Sequence, residues 1–437
     1  MSGRGTVGFI GLGAMGFGMA SHLVKQGYSV KGYDVVDKNV ERFQLAGGIG
    51  VYDLLESAKG AQHYVCMVAT AAQAEDVLFK RGVMDVLPRQ AIIYLCSTVP
   101  STSAITIGER IKASREDIFF LDCPVSGGAG RAADGSLSIM VGAFPEAISR
   151  GRALLEQLAA TDKLYIMPEG PGNGSNLKLA HQVLACCNVL ASSEVVGFAA
   201  RVGVPAPDFL QKMVTSASWA GMVEDRIPRM LAQNYSTAVS ALAIILKDTR
   251  IITSVARHHS VPTPVSSVAE QQFVAGLSRG WASSDDSCLI QLYFPEPIKA
   301  VKASGINEAC ALRLLRIILL FGVAESVALV HALGLDIDIF YRLATAASGT
   351  SRVLEKHARP MYAFLNEDRI PTADEETVDD LIKDLDGILA EAKAVDCPLH
   401  MGSMIMNLLL SVKMQGLGDA GVASVVCLWS KTKQGGH

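Results

Sequence analysis

Residues 8–18 read GFIGLGAMGFG, with an apolar segment before them and a helical pattern of apolar residues after them. The next apolar run ends at Asp34, 18 residues after Gly16. The order is therefore a strand, a glycine-rich turn, a helix, a second strand and an acidic residue at the tip of that strand. A glycine-rich turn alone is common, but this order indicates a βαβ unit that binds a dinucleotide.

The glycines of this turn have separate tasks in such a unit. Gly11 allows the tight turn, Gly13 lets the backbone approach a pyrophosphate, and Gly16 lets the helix pack closely against the strand. The start of the helix offers free N–H groups and a positive dipole end to the phosphates. The residues of the turn predicted to contact the coenzyme are Gly11, Leu12, Gly13, Ala14, Met15 and Gly16.

The acidic residue Asp34 predicts which coenzyme is bound. Its carboxylate can accept hydrogen bonds from both ribose hydroxyls of NAD and would repel the 2′-phosphate of NADP, so we expect NAD. Two alternatives are a tight strand-to-helix turn without a ligand and the glycine loop of a kinase. The kinase loop is disfavoured, because it lies between two strands and because neither a VAIK nor an HRD pattern follows here.

The composition sets limits on the class of protein. The 437 residues suggest two or three domains, half of the residues are apolar, and the net charge of −4 gives no reason to expect nucleic acid or an anionic membrane as a partner. The nine cysteines form no CxxC or metal-finger spacing, so we expect reduced thiols in a cytoplasmic protein and no metal site. The chain starts without a charged-then-apolar leader, and the apolar run at 314–324 is too short to span a bilayer.

Residues 1–168 alternate strand-like and helix-like segments, which predicts a doubly wound, mostly parallel sheet of the Rossmann type. Seven strands are expected, one of them at residues 64–68. Ligand groups in such a sheet come from the loops at the carboxyl ends of the strands. The loops expected there are 68–70, with Val68 and Ala69, 97–100, with Thr98, and 123–128.

From about residue 170, long helical patterns replace the strands and repeat themselves. Leu246-Lys247-Asp248 recurs 136 positions later as Ile382-Lys383-Asp384. Glu194, Gly203 and Phe209 recur 131 positions later as Glu325, Gly334 and Phe340. The order of these matches predicts an all-α part that is internally duplicated, with copies at 169–297 and 298–437. The alternative is that helix-loop-helix segments of similar composition align by accident.

Two segments carry candidate chemical groups. Lys178 lies at the start of a long helix, and Gln182 shares its face at i,i+4. A lysine among apolar residues and near a cationic nicotinamide should lose proton affinity and could shuttle a proton. In DCPVSGGAGRAADGSLSIMVG, residues 122–142, Ser126 and the amides of Gly127 and Gly128 could hold a carboxylate. The alternatives are a solvated surface lysine and a plain turn.

Four ordered segments together resemble the β-hydroxyacid dehydrogenases. They are GFIGLGAMGFGMA, DCPVSGGAGRAADGSLSIMVG, GPGNGSNLKLAHQ and LKDTRII, spread over residues 5–293. The resemblance implies that Lys178 is the catalytic proton carrier and that the loop from Ser126 to Gly128 holds the substrate carboxylate. It also implies that Thr98 lies by the nicotinamide and that Lys247 lines the coenzyme site.

One departure from the family pattern concerns the substrate. Many members carry asparagine four residues after the lysine, where this chain has Gln182. The His-Gln pair at 181–182, with SASWAGMVEDR and DDS later, looks most like the L-threonate dehydrogenase branch. We therefore expect NAD-dependent oxidation or reduction of a small hydroxy acid, L-threonate-like or 3-hydroxyisobutyrate-like. The alternatives are a non-catalytic NAD(P)-binding regulatory or scaffold protein and an imine reductase, which Lys178 argues against.

The extra copy is unusual beside the short members of the family, in which two subunits pack their helical domains together. The position of Lys178 corresponds to Ala309 in the second copy, which has therefore lost the proton carrier and is expected to be structural. A covalent second copy could take the place of a second subunit. The expected oligomer is a monomer or a homodimer formed through the helical domains.

Overall fold

The computed structural model describes residues 4–303, 308–367 and 376–430. The chain forms two compact units, Met1–Lys178 and Leu179–His437, which are described one at a time.

A single sheet organises the first unit. Its strand order is β3-β2-β1-β4-β5-β6-β8-β7, with β9 pairing β8. The pairs from β3 to β6 are parallel, whereas β8 runs antiparallel to β6 and β7. The strands are β1 (Thr6–Ile10), β2 (Ser29–Tyr33), β3 (Ile49–Gly50), β4 (His63–Cys66), β5 (Ile92–Leu95), β6 (Phe119–Asp122), β7 (Val125–Ser126), β8 (Leu137–Gly142) and β9 (Ala159–Met167). The predicted doubly wound, mostly parallel sheet is confirmed.

Helices cover both faces of this sheet. They are α1 (Ala14–Lys25), α2 (Asp37–Leu45), α3 (Leu54–Ala58), α4 (Ala71–Glu75), α5 (Val83–Val86), α6 (Ser101–Ser114), α7 (Gly128–Asp134) and α8 (Pro145–Leu158). Neighbouring residues of β1 enter different apolar clusters, Phe9 on one face and Ile10 on the other. Burial on both faces explains why the parallel strands read as continuous apolar runs.

The structure differs from the predicted strands in short segments. The strand expected at 64–68 ends at Cys66, because the N–H of Val68 donates to the Ser97 hydroxyl rather than to a neighbouring strand. Residues 125–126, expected in a loop, form β7, and β3 was not predicted. Two-residue strands are too short to show an alternating pattern, so the sequence carries little signal for them.

The second unit is helical. The helix α9 spans Asn173–Arg201 and ends before Gly203, which has the left-handed φ of 79°. The other helices are α10 (Ala206–Thr215), α11 (Gly221–Ala232), α12 (Leu242–His258), α13 (Pro264–Ser278), α14 (Ala309–Ala332), α15 (Ile337–Ala346), α16 (Arg352–Glu367), α17 (Val378–Ala394) and α18 (His400–Met414). Short 3-10 segments lie at Asp286–Leu292, Ile298–Ala300 and Val422–Trp429.

The central helices α9 and α14 are long and apolar enough to cross a membrane by length and composition. Their most apolar stretches are, however, 100% and 89% buried inside the fold. Core helices of a folded domain show the same composition, because a helix surrounded by other helices is apolar all round. The two helices are therefore weak evidence for a membrane span.

Helix boundaries in this unit recur at the offsets seen in the sequence. Helices α10 and α15 start 131 positions apart, as do α11 and α16. Helices α12 and α17 start 136 positions apart, as do α13 and α18. The recurrence covers whole elements, which is the pattern expected of two related helical segments.

Candidate coenzyme and substrate site

The glycine turn brings three backbone segments too close together for side chains. Gly11 has a φ of 89°, and a Cβ on it would lie 2.2 Å from the carbonyl oxygen of Met67. A Cβ on Gly16 would lie 1.8 Å from the carbonyl oxygen of Gly11. Both positions therefore require glycine, as the sequence predicted.

Gly13 has the opposite surroundings. It is exposed, it precedes α1, and no heavy atom lies within 4 Å of a Cβ built on it. Gly13, at the N-cap position of this 12-residue helix, makes no side-chain hydrogen bond to its first N–H groups, which belong to Ala14 and Met15. This opening and the helix dipole suit a phosphate group, and the residues present therefore fit a dinucleotide.

Asp34 ties the end of β2 to the glycine turn. Its Oδ2 accepts a hydrogen bond from the N–H of Leu12 at 2.7 Å, and its Oδ1 accepts one from the N–H of Val36 at 2.9 Å. Each carboxylate oxygen has a further lone pair, so both can still accept a ribose hydroxyl. Arg42, which sequence reasoning missed, donates to the Leu12 carbonyl oxygen at 2.9 Å and stacks 3.9 Å above the Phe17 ring.

The loops after β4 and β5 meet at the same edge of the sheet. The N–H of Val68 donates to Ser97 Oγ at 2.9 Å, and that hydroxyl contacts the Cys66 carbonyl oxygen at 3.4 Å. The N–H of Ala69 donates to the side chain of Gln73. Thr98, the residue after Ser97, is half-buried. The structure places Val68 beside the glycine turn, since a Cβ on Gly11 would lie 3.4 Å from the N atom of Val68. Contact of Val68, Ala69 and Thr98 with a coenzyme stays a prediction.

The Ser-Gly-Gly segment connects β7 to α7. Ser126 is buried at 8% exposure, and Gly127 and Gly128 are exposed, with φ values of 138° and 73°. Helix α7 packs directly on α1, since a Cβ on Gly18 would lie 2.9 Å from the N atom of Ala133. The segment predicted to bind a carboxylate is therefore carried by a helix that contacts the coenzyme-binding helix, and Gly18 permits this contact.

Asp122 anchors the start of α9. Its Oδ2 accepts hydrogen bonds from the N–H groups of Gly172 at 3.0 Å and Ser175 at 2.8 Å, and its Oδ1 accepts the Ser175 hydroxyl at 2.7 Å. Burial raises the pKa of the Asp122 carboxyl to about 6, and these hydrogen bonds offset the rise only in part. The backbone of Gly174 also packs directly against Asp122, since a Cβ on Gly174 would lie 2.4 Å from the Asp122 carbonyl oxygen.

Lys178 follows Ser175 by one helical turn and is only 5% exposed. The alternative of a solvated surface lysine is therefore wrong. The same unit contains the glycine turn, Asp34, the Ser126 segment and Asp122. A buried primary amine at the anchored start of a helix is suited to proton transfer at a bound substrate, because bulk water does not compete for it.

Gln182 and Lys247, the other two residues predicted for the site, lie in the second unit, and both contact the carboxylate of Asp248. Gln182 Nε2 donates to Asp248 Oδ2 at 2.7 Å, and Lys247 Nζ lies 2.8 Å from Asp248 Oδ1. Gln182 and Asp248 are buried, which holds the amide in one orientation. Substrate binding by Gln182 and coenzyme binding by Lys247 both stay predictions.

Metal-ligating residues do not cluster in the described ranges. No group of three or more His, Cys, Asp or Glu side chains in residues 4–303, 308–367 and 376–430 could hold a metal ion. All nine cysteines are unpaired, and burial raises the pKa of the Cys66 thiol to about 12. Such a thiol is protonated at neutral pH and is a poor metal ligand or nucleophile.

Two family models match the chain. One, described as the NAD binding domain of 6-phosphogluconate dehydrogenase, matches residues 6–168. The other, described as NAD-binding of NADP-dependent 3-hydroxyisobutyrate dehydrogenase, matches twice, at residues 172–293 and 310–429.

Individual proteins are similar over different parts of the chain. L-threonate dehydrogenase of Cupriavidus necator is 34% identical over 289 residues, which are 66% of this chain and 95% of that protein. A solved 3-hydroxyisobutyrate dehydrogenase from Salmonella typhimurium is 30% identical, with a TM-score of 0.61 over 66% of this chain and 100% of its own. The 6-phosphogluconate dehydrogenase of Plasmodium falciparum, 15% identical, shares the fold over 93% of this chain and 92% of its own, with a TM-score of 0.64. The chain therefore belongs to the β-hydroxyacid dehydrogenase family of NAD(P)-dependent oxidoreductases.

Proposed function

We propose that this enzyme oxidises or reduces a small hydroxy acid with NAD, and that Lys178 is its proton carrier. The burial of Lys178 at 5% exposure, one turn after the Asp122 anchor, is the observation that carries the proposal. A surface lysine would exchange protons with water, whereas a buried one exchanges them with a bound molecule.

Three parts of the first unit would divide the work. The glycine turn and Asp34 would hold the coenzyme, which supplies the hydride acceptor when it is bound. The Ser126 hydroxyl and the amides of Gly127 and Gly128 would bind the substrate carboxylate. The neutral amine of Lys178 would take the proton of the hydroxyl group during oxidation, and its ammonium would return that proton during reduction.

The substrate class follows from the relatives and from the residues after Lys178. The relative from Cupriavidus necator is an L-threonate dehydrogenase, and this chain has the His-Gln pair that resembles that branch. We propose an L-threonate-like hydroxy acid, with a 3-hydroxyisobutyrate-like acid as the second candidate. Gln182, held by Asp248, would present its carbonyl oxygen to a substrate hydroxyl, a contact suited to a polyhydroxy acid.

The coenzyme proposal rests on Asp34. Its carboxylate would repel a 2′-phosphate, and its position beside Leu12 supports NAD rather than NADP. Arg42 carries the opposite charge, but its guanidinium is bound to the Leu12 carbonyl oxygen and stacked on Phe17. NAD is therefore proposed as the coenzyme.

Turnover of a panel of hydroxy acids tests the proposal, with the absorbance of reduced coenzyme as the readout. The panel contains L-threonate and 3-hydroxyisobutyrate, each with NAD and with NADP. We expect K178A to lose turnover by a factor on the order of a hundred to ten thousand while coenzyme affinity is retained. The control K112A changes an exposed lysine of α6 and should keep full activity.

Two other results would favour the alternatives. Coenzyme binding without turnover of any hydroxy acid would favour a regulatory or scaffold protein. Turnover of an amine and a ketone together would favour an imine reductase.

A cytoplasmic location is proposed from the nine unpaired cysteines, and fractionation of the source cells tests it.

A further inference from the structure

The two helical segments of the second unit, the first formed by α9–α13 and the second by α14–α18, exchange backbone hydrogen bonds in a reciprocal way. The N–H of Gly221 donates to the Thr350 carbonyl oxygen at 3.0 Å, and the N–H of Arg352 donates to the Trp219 carbonyl oxygen at 3.2 Å. Residues 219 and 350 are 131 positions apart, as are residues 221 and 352. Each segment therefore donates a backbone hydrogen bond to the other and accepts the equivalent hydrogen bond from it.

Two buried glutamates repeat this exchange at helix starts. Glu194 of α9 accepts hydrogen bonds from the N–H groups of Met401 and Gly402, the first turn of α18, both at 3.0 Å. Glu325 of α14 accepts the N–H groups of Val265 and Ser266, the first turn of α13, at 2.8 and 3.0 Å. The glutamates are 131 positions apart and the two helices 136 positions apart.

Reciprocal contacts of this kind are the signature of a twofold axis, where residue i contacts j and j contacts i. Contacts inside each segment are also repeated, since the antiparallel bridge between Ala241 and Asp285 recurs between Thr377 and Gly421. The second segment thus packs on the first as the twofold-related subunit of a dimer would. The two matches of one family model to these segments agree with that relation.

The exchange is unequal at one pair. His181 Nε2 accepts a hydrogen bond from the N–H of Gly349 at 3.2 Å. The positions related to His181 and Gly349 are Leu312 and Ser218, where the Ser218 hydroxyl instead donates to the Leu312 carbonyl oxygen at 2.7 Å. The imidazole is therefore present only in the segment that follows Lys178.

Gly349 is required by this contact. A Cβ on it would lie 2.9 Å from Leu184 Cβ and 3.2 Å from His181 Nε2, so the serine of the related position does not fit. Because His181 Nε2 accepts a hydrogen bond, the proton of its neutral ring is on Nδ1. The second segment thereby sets the orientation and the tautomer of a fully buried imidazole.

We propose that the second helical segment acts as a built-in partner subunit, and that its residues 347–351 hold His181 as a positioning residue for the substrate. The role in turnover rests on the proposed function. His181 follows Lys178 by three residues and precedes Gln182 on the same helix, so a shift of its ring changes the shape of the helix surface that the substrate is proposed to meet. The second segment is then needed for turnover and is not only a scaffold.

Substitutions that install the related residues test the positioning role. G349S and H181L each place at one position the residue found at its related position, and S218A is the matched control on the other side. We expect G349S and H181L to lower kcat/KM by about tenfold to a hundredfold, mainly through kcat, with coenzyme affinity retained. S218A should stay within about twofold of the parent, and H181Q, which can still accept from Gly349, should recover part of the activity.

The tautomer gives a second readout that needs no turnover. In ¹⁵N-histidine NMR spectra, the signal missing from H181Q identifies His181. We expect an Nδ1–H signal from it in the parent chain and its loss or change in G349S. If hydroxy acids are turned over and both G349S and H181L keep full activity, the positioning role is refuted while the proposed function stands. If no hydroxy acid is turned over, the proposed function fails, and an Nε2–H signal in the parent chain would separately refute the contact.

A disulfide tests whether the partner is built in. Ala220 and Ser351 form an antiparallel bridge as a pair without direct hydrogen bonds, in which Cα atoms lie about 4.5 Å apart, within the range that a disulfide spans. Oxidised A220C/S351C should therefore run as a cross-linked monomer on a non-reducing gel. A covalent dimer, or no cross-link beyond that of either single variant, would overturn the assignment.

Discussion

The buried glutamates Glu194 and Glu325 offer a direct measurement of the reciprocal packing. Each accepts two backbone N–H groups of a helix start and one hydroxyl, from Tyr293 in the first case and Ser266 in the second. In E194Q and E325Q, one carboxylate oxygen becomes an NH2 group that faces a backbone N–H and cannot accept it. We expect each variant to lose about 1–3 kcal/mol in the free energy of unfolding at low pH.

The loss should depend on pH, because burial raises the pKa of both carboxyls to about 7. A pKa that is higher in the folded chain than in the unfolded chain means that the protonated carboxyl favours folding. This stabilisation is complete below the ordinary pKa of 4.5 and is lost as the pH rises to about 7. The free energy of unfolding lost over this pH range is roughly 3 kcal/mol for each group. Since glutamine does not titrate, the advantage of the parent over each variant in the free energy of unfolding should shrink with rising pH. Because the loss is as large as that advantage, the difference should vanish or reverse by about pH 8.

Urea unfolding followed by tryptophan fluorescence measures these free energies. All three tryptophans, at 219, 281 and 429, lie in the second unit, so the signal reports on that unit. The parent, E194Q and E325Q are compared at about pH 5 and about pH 8, with E355Q as an exposed control. If the advantage of the parent over a variant in the free energy of unfolding is the same or larger at the higher pH, the burial argument is refuted. A difference of more than about 2 kcal/mol between the two variants would refute their equivalence.

Three further predictions concern the first unit. G16A should weaken coenzyme binding at least tenfold, as its Cβ would overlap the Gly11 carbonyl oxygen, whereas G387A, with no atom near its Cβ, should leave the affinity unchanged in a titration. D122A should lower the free energy of unfolding by about 2–4 kcal/mol in calorimetry, because two buried N–H groups and a hydroxyl lose their acceptor, and D122N should cost under about 1 kcal/mol. D34N should reduce the ratio of kcat/KM for NAD to that for NADP by about tenfold, since the repulsive charge is lost, and an unchanged ratio would contradict the role of Asp34.

The glycine turn and the parallel sheet could be predicted from the sequence, because their signals are local. Gly11 and Gly16 stand at fixed spacing beside an apolar strand. The positive φ and a close contact explain Gly11, and a close contact alone explains Gly16. The recurrence of Glu194 and Glu325 was also visible, although their function in capping helices of the opposite segment was not. Local patterns therefore gave the elements and their order.

The anchors of the site could not be predicted, since their partners are backbone groups far away in the chain. Asp122 stands inside a segment whose serine and glycines drew attention, but its own partners are N–H groups at 172 and 175. Gly349 contacts a histidine 168 positions earlier through its N–H. A backbone group has the same chemistry in every residue, so one sequence carries no mark of which side chain it will meet.

The reciprocal contacts lie within one polypeptide, which changes how the two sides can diverge. In a homodimer encoded by one gene, a substitution alters both sides of the axis at once. Here each side has its own codon, so position 178 can carry lysine while position 309 carries alanine, and Gly349 can differ from Ser218. The linkage also makes the association of the two segments independent of protein concentration, so dilution does not separate them.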